Sequence, residues 1–127
     1  MEYRLTIDGR LPCLNDFIKE CSRHRQNGAK LKKQTEQMIG VFIRQQLRNV
    51  EISEPVIMQY LWYEPNKKRD KSNISAFGRK AIEDALQYYG VLKNDNWAYV
   101  QGFTDEFYVD ALNPRVEVTL KSGLETS

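Results

Sequence analysis

No apolar run in the chain approaches the roughly 18 residues that a membrane-spanning helix needs, so no membrane role is expected. Soft metal ligands are scarce. Cys13 and Cys21 lack CxxC spacing and His24 is the single histidine, which argues against a structural zinc site. The opening "MEYRLTIDG" is acidic and alternating, without the basic-then-apolar order of a secretory leader. Two thiols and no leader suit a reducing compartment, and the expectation is a cytoplasmic protein. Repeats, low-complexity tracts and Pro- or Gly-rich linkers are also missing: 127 residues hold 7 Gly and 4 Pro. With 41% hydrophobic residues, that length suits one domain with an ordinary core.

Charge is plentiful and unevenly placed. The net charge of +2 hides 16 Lys/Arg against 9 Asp/Glu in residues 1–80, and 3 against 8 in residues 81–127. The cations cluster as Lys19, Arg23 and Arg25; Lys30, Lys32 and Lys33; Lys67, Lys68, Arg69 and Lys71; Arg79 and Lys80. Such clusters suit a polyanion, because Lys and Arg contacts to phosphate supply most non-specific nucleic-acid affinity. A solvated charged surface explains them equally well on composition alone.

Periodicity gives the order of elements. "YRLTIDG" alternates and reads as a first strand. "LPCLNDF" turns, and a short helical stretch from Asp16 to Cys21 follows it. "SRHRQNGAK" has no apolar residue larger than alanine and contains Asn-Gly, which predicts a mobile surface loop. From Lys30, Leu31, Thr35, Met38, Ile39, Phe42, Ile43 and Leu47 share one helical face. "EPVIMQYLWYEP" predicts a central strand covered on both faces. A second helix starts near Asp70–Asn73 with Ser72 as N-cap, carries Ile74, Phe77, Ala81, Ile82, Ala85, Leu86 and Tyr89 on its stripe, and stops at Gly90. "AYVQGFTDEFYVD" and "PRVEVTLKS" read as two last strands joined by the "ALNP" turn. The expected fold is α+β: one domain over residues 1–127, β-α-β-α-β-β, two helices packed on one mixed or antiparallel sheet, with the last few residues disordered.

Asp70 and Asp95 stand just before and just after the second helix. A helix of about sixteen residues is roughly 24 Å long, so the two meet only if the turn "VLKNDNW" folds back along it. Two carboxylates brought together suit Mg²⁺, which takes few protein ligands and keeps several waters. Such an ion activates water and stabilises charge developing on a phosphate. Lys80 would then reach that phosphate as a point charge. Plainer roles exist for each residue: Asp70 pairing with Lys67 or Arg69, Asp95 shaping an Asx turn, and Lys80 pairing with Asp84 at i,i+4.

"RDKSN" from Arg69, the helix "RKAIEDAL" and the turn "GVLKND" together resemble the core of the RusA family of Holliday junction resolvases. That family carries an R-D-x-D-N box, a helix with a lysine and an Asp-Ala-Leu run, then a Gly and an Asp-Asp turn. "LPCLN" with Pro12 and Asn15 resembles the family's N-terminal Pro-x-x-Asn turn, "SRHRQNGAK" its basic loop, and "NPRVEVTL" its closing strand. The likeness covers most of the chain and is most specific over residues 64–97.

The resemblance implies a homodimeric, Mg²⁺-dependent (or Mn²⁺-dependent) endonuclease that nicks four-way DNA junctions symmetrically, with no small-molecule substrate. It implies catalytic and metal roles for Asp70 and Asp95, and a catalytic role for Lys80 when the helix is aligned from Asp84–Leu86. That alignment inserts about one helical turn after Asn73; aligned from the box, the lysine position is Ala76. Ser72 stands where the family has its second box aspartate, and Asn94 where it has the first acid of the turn. Ser72, Asp84 and Glu64 are the further metal-ligand candidates. Arg23, His24, Arg25, Lys30, Lys67, Lys68, Arg69, Lys71 and Arg79 are the expected DNA contacts. Pro12, Asn15 and Asn73 are expected to be structural, and strand 55–64 or the first long helix to form the dimer interface. Two alternatives accompany this reading: a branched-DNA binder impaired in cleavage, and an RNA-binding α+β module with Tyr60, Trp62 or Tyr99 as stacking platforms.

Overall fold

The computed structural model describes residues 1–94 and 96–123. Seven elements follow one another: β1 Glu2–Asp8, α1 Leu14–Arg23, α2 Arg25–Gln46, β2 Val56–Glu64, α3 Lys71–Tyr88, β3 Val100–Val109 and β4 Arg115–Ser122. The fold is a small α+β domain, as the sequence predicts, but with three helices rather than two. Residues 124–127, expected to be disordered, lie outside the described residues.

The sheet is mixed, with order β1-β4-β2-β3. β4 runs antiparallel to both β1 and β2, and β2 runs parallel to β3 through the crossover helix α3. The last two strands are therefore joined by the "ALNP" turn without pairing, because β2 lies between them. Burial explains the choice. β4 alternates strictly, with Val116, Val118 and Leu120 buried, and it sits inside the sheet opposite Trp62, Tyr60 and Met58. β3 has no fully buried residue and takes the edge.

β2 is central, as expected, but only one face is fully covered. Val56, Met58, Tyr60, Trp62 and Glu64 are buried and the residues between them are half-buried. Both edges of β2 are paired, so it can offer a partner only a face. Burial of Tyr60 and Trp62 also removes them as stacking platforms for RNA; Tyr99 is half-buried.

The helical stripes are as the spacing predicts. Ile39 and Ile43 of α2, its C-cap Leu47, and Ile74, Phe77, Ala81, Ile82, Ala85 and Leu86 of α3 join the strands in one core. Gly90 ends α3 with φ +81°, while the N–H groups of Gly90 and Val91 donate to the carbonyls of Gln87 and Leu86. These bonds satisfy carbonyls that have no partner within the helix.

The expected mobile loop over 22–30 is helical instead. His24 is the one extended residue between α1 and α2; its N–H donates to the Glu20 carbonyl and its Nδ1 accepts the Gln26 N–H at 3.2 Å. Asn27 and Gly28, a turn signal in sequence, lie in the first turn of α2. Gly28 is buried there against Cys21 and Phe17, with no room for a Cβ. Helix packing between α1 and α2 overrides the local turn preference.

Candidate nucleic-acid and metal site

Asp70 is the N-cap of α3, a position expected for Ser72. Its φ of −68° and ψ of 148° are extended, yet its side chain makes no capping hydrogen bond. The carboxylate is exposed and makes no ion pair among the described residues. It opens onto a cleft of about 480 Å³ lined also by Glu64, Lys67, Arg69, Lys71 and Phe107.

The residues on either side of Asp70 hold it in place. Arg69 turns its guanidinium inward, with Nη1 donating to the Leu11 carbonyl at 3.0 Å and Nη2 to Asp16 at 3.0 Å. Asn73 accepts the backbone N–H of Asn15 at 2.8 Å. Asp16 also accepts the Cys13 N–H at 2.9 Å, which caps α1. Burial acts to raise the Asp16 pKa, but the Cys13 hydrogen bonds and the Arg69 and Arg10 charges outweigh it and lower the carboxyl below its ordinary value. Segment 11–16, which contains Pro12, is thus bonded to both flanks of Asp70. Asn73 joins the two segments through its side chain, and Asn15 through its backbone N–H alone. Arg69, expected on phosphate, is here a clamp.

Lys80 and Asp84 lie on another side of α3. Asp84 Oδ1 pairs with Lys80 Nζ at 3.1 Å and Oδ2 with Lys32 Nζ at 2.5 Å. Both oxygens of Asp84 are held by lysines, so it does not suit a metal. The i,i+4 role is the one the geometry shows for this pair. Glu64, only 7% exposed, accepts Arg10 Nη2 at 2.8 Å and is likewise committed. Asp95 lies outside the described residues.

Ser72 is exposed on the first turn of α3, in a second cleft with Ser75, Arg79, Phe103 and Asp105. Arg79, expected to reach out to phosphate, packs instead over Phe103, 4.1 Å from the ring centroid, with Nε 3.6 Å from Asp105. Lys67, Lys68, Lys71, Arg25 and Lys30 are exposed. Arg23 is exposed beside Glu20 at 3.4 Å, and His24 is occupied as a helix cap. A groove of about 580 Å³ between α1 and α2 collects Pro12, Lys19, Arg23 and Lys30.

Among the described residues, no group of three or more His, Cys, Asp or Glu is placed to hold a metal. At the start of α3 they supply a carboxylate without an ion pair, Asp70, and the Ser72 hydroxyl two residues on. Hard oxygen donors of this kind fit Mg²⁺, which binds through one or two carboxylates and keeps its other waters. Among the described residues, no helix is long and apolar enough to cross a membrane. Lys32, which the helical period places off the apolar stripe, and Phe103 were not expected as site neighbours. No family model matches the sequence, and no curated protein matches it.

Proposed function

We propose that this protein is a metal-dependent DNA endonuclease of the Holliday-junction-resolving kind, acting as a homodimer on branched DNA. The observation that supports it best is Asp70: an exposed carboxylate at a helix start, unused for capping, clamped by Arg69 and Asn73 and set among Lys67, Lys68 and Lys71. Its position favours an anion through the helix dipole, yet among the described residues neither a cap hydrogen bond nor an ion pair uses the carboxylate. Here the backbone is tied on both sides through Arg69 and Asn73 while the carboxylate is left open, which suits a metal ligand.

In this reading Asp70 binds a Mg²⁺ ion, with Asp95 as its second carboxylate and Ser72 as a neutral oxygen beside them. When bound, the ion would supply an activated water and an electrophile for phosphate. Lys67, Lys68 and Lys71 hold the DNA backbone against that position, and Arg25 and Lys30 on the α1–α2 hairpin meet a neighbouring arm. Lys80 acts as a phosphate contact only if it leaves Asp84, which Lys32 would continue to neutralise. A dimer presents two sites to one junction, as paired nicks require.

Ser72 favours a second reading, junction binding with weak or no cleavage, because a hydroxyl stands where a charged ligand would tighten the metal. The test is cleavage of a synthetic four-way junction with and without Mg²⁺, against duplex DNA of the same sequence. Metal-dependent paired nicks in the junction support the first reading; tight binding without nicks under Mg²⁺ or Mn²⁺ supports the second.

A further inference from the structure

Two adjoining clefts lie along a trough between the N-terminal half of α3 and β3. The cleft beside Asp70 and the second cleft, of about 360 Å³, share Lys71 and Phe107 as lining residues. Its floor is aromatic. Phe103 and Phe107 line it from the edge strand; Phe103 is 51% exposed, and Phe107 is half-buried against the core. Cations stand on the rings: the Arg79 guanidinium 4.1 Å from the Phe103 centroid, and Lys71 Nζ 5.8 Å from that of Phe107.

The acids in the trough, Asp70 apart, are already engaged. Asp105 accepts Trp62 Nε1 at 2.8 Å and faces Arg79, and Glu64 is held by Arg10. Arg79 Nε is enclosed without a hydrogen-bond partner. Aromatic faces interleaved with cations are the chemistry of single-strand binding, in which bases stack on rings and phosphates meet cations. Paired bases, stacked within a duplex, cannot use such a floor.

We propose that this trough binds an unpaired stretch of DNA, with bases on Phe103 and Phe107 and phosphates against Lys71 and Lys67. The inference rests on the reading that the chain acts on branched DNA, and it supplies a way to tell opened bases at a branch from intact duplex. The probe is a short single-stranded oligonucleotide carrying 2-aminopurine, titrated in the presence of EDTA so that no cleavage intervenes.

The wild-type protein should bind the probe and quench its fluorescence. Phe103→Ala and Phe107→Ala should each weaken binding by about tenfold and reduce the quench. Melting curves identify any variant that has lost its fold. Phe103→Leu, which keeps apolar bulk without a ring, should also lose the quench. Several results would overturn the proposal: no binding by the wild type, folded Ala variants that bind and quench like it, or tighter binding of single-stranded RNA. Another is a Phe103→Ala protein that keeps its affinity while a dimer falls to monomers, which would make the trough a subunit interface. Because neither metal nor junction is present, failure here leaves junction cleavage standing, and absence of cleavage leaves this binding standing.

Discussion

Asn73, in the first turn of α3, accepts the backbone N–H of Asn15, in the first turn of α1, across 58 positions of sequence. That N–H has no partner within its own helix, so the bond satisfies α1 and fixes where α3 begins. Arg69 makes the corresponding tie on the other side of Asp70. Asn73→Ala should cost about 0.5–1.5 kcal/mol and Arg69→Gln about 1–2 kcal/mol, since the bond to Asp16 is partly exposed and screened. Urea midpoints measure both, and unchanged midpoints would mean that the clamp contributes nothing.

The clamp has a pH signature. Asp16 has a folded pKa below its ordinary value, so its contribution to stability is present above about pH 4 and lost as pH falls through the lower folded value. Asp16→Asn should therefore flatten the fall in stability below pH 4 while leaving its dependence near neutrality unchanged. An identical acid slope in wild type and variant would contradict this.

Gly78 carries α3 close to β2: a Cβ there would stand 2.8 Å from the Trp62 ring, which is 1% exposed and cannot yield easily. Overpacking of about 1–3 kcal/mol should exceed the gain of about 1 kcal/mol from replacing glycine in a helix. Gly78→Ala should thus lower stability, and its cost should be smaller when measured in a Trp62→Phe background. A stabilised Gly78→Ala protein would show that the contact is loose.

Both long helices, the central strand and the end of α3 at Gly90 were legible in the sequence because each carries a strong period or a glycine where φ is positive. The start of α2 was not. Its first turns hold no large apolar residue, and the contact that makes them helical, Gly28 on Cys21 and Phe17, joins two elements. The separation of β3 from β4 was hidden for a similar reason, since a short turn signals a hairpin and only burial in three dimensions places β2 between them. At the site, Asp70, Asn15 and Asn73 could be picked out through the motif. The inward turn of Arg69 and Arg79 could not, because an arginine has the same sequence signature whether it faces phosphate or a carbonyl.

The cations left facing outward make the phosphate contacts testable. Neutralising Lys67, Lys68 and Lys71 together should weaken junction binding and flatten its log–log salt dependence by about 0.9 for each lost contact. Arg69→Gln, by contrast, should change stability more than the salt slope. A slope unchanged by the triple lysine variant would place the DNA elsewhere.

Cleavage of a four-way junction by wild type, Asp70→Asn and Ser72→Asp, each titrated with Mg²⁺, tests the proposed site most directly. Wild type should give metal-dependent paired nicks. Asp70→Asn should bind the junction at least as tightly and cut it at least about a hundredfold more slowly. Ser72→Asp should reach its maximal rate at lower Mg²⁺, because the added carboxylate sits close to the ion and at a helix start that favours an anion. An Asp70→Asn protein that cuts at the wild-type rate would contradict Asp70 as a metal ligand.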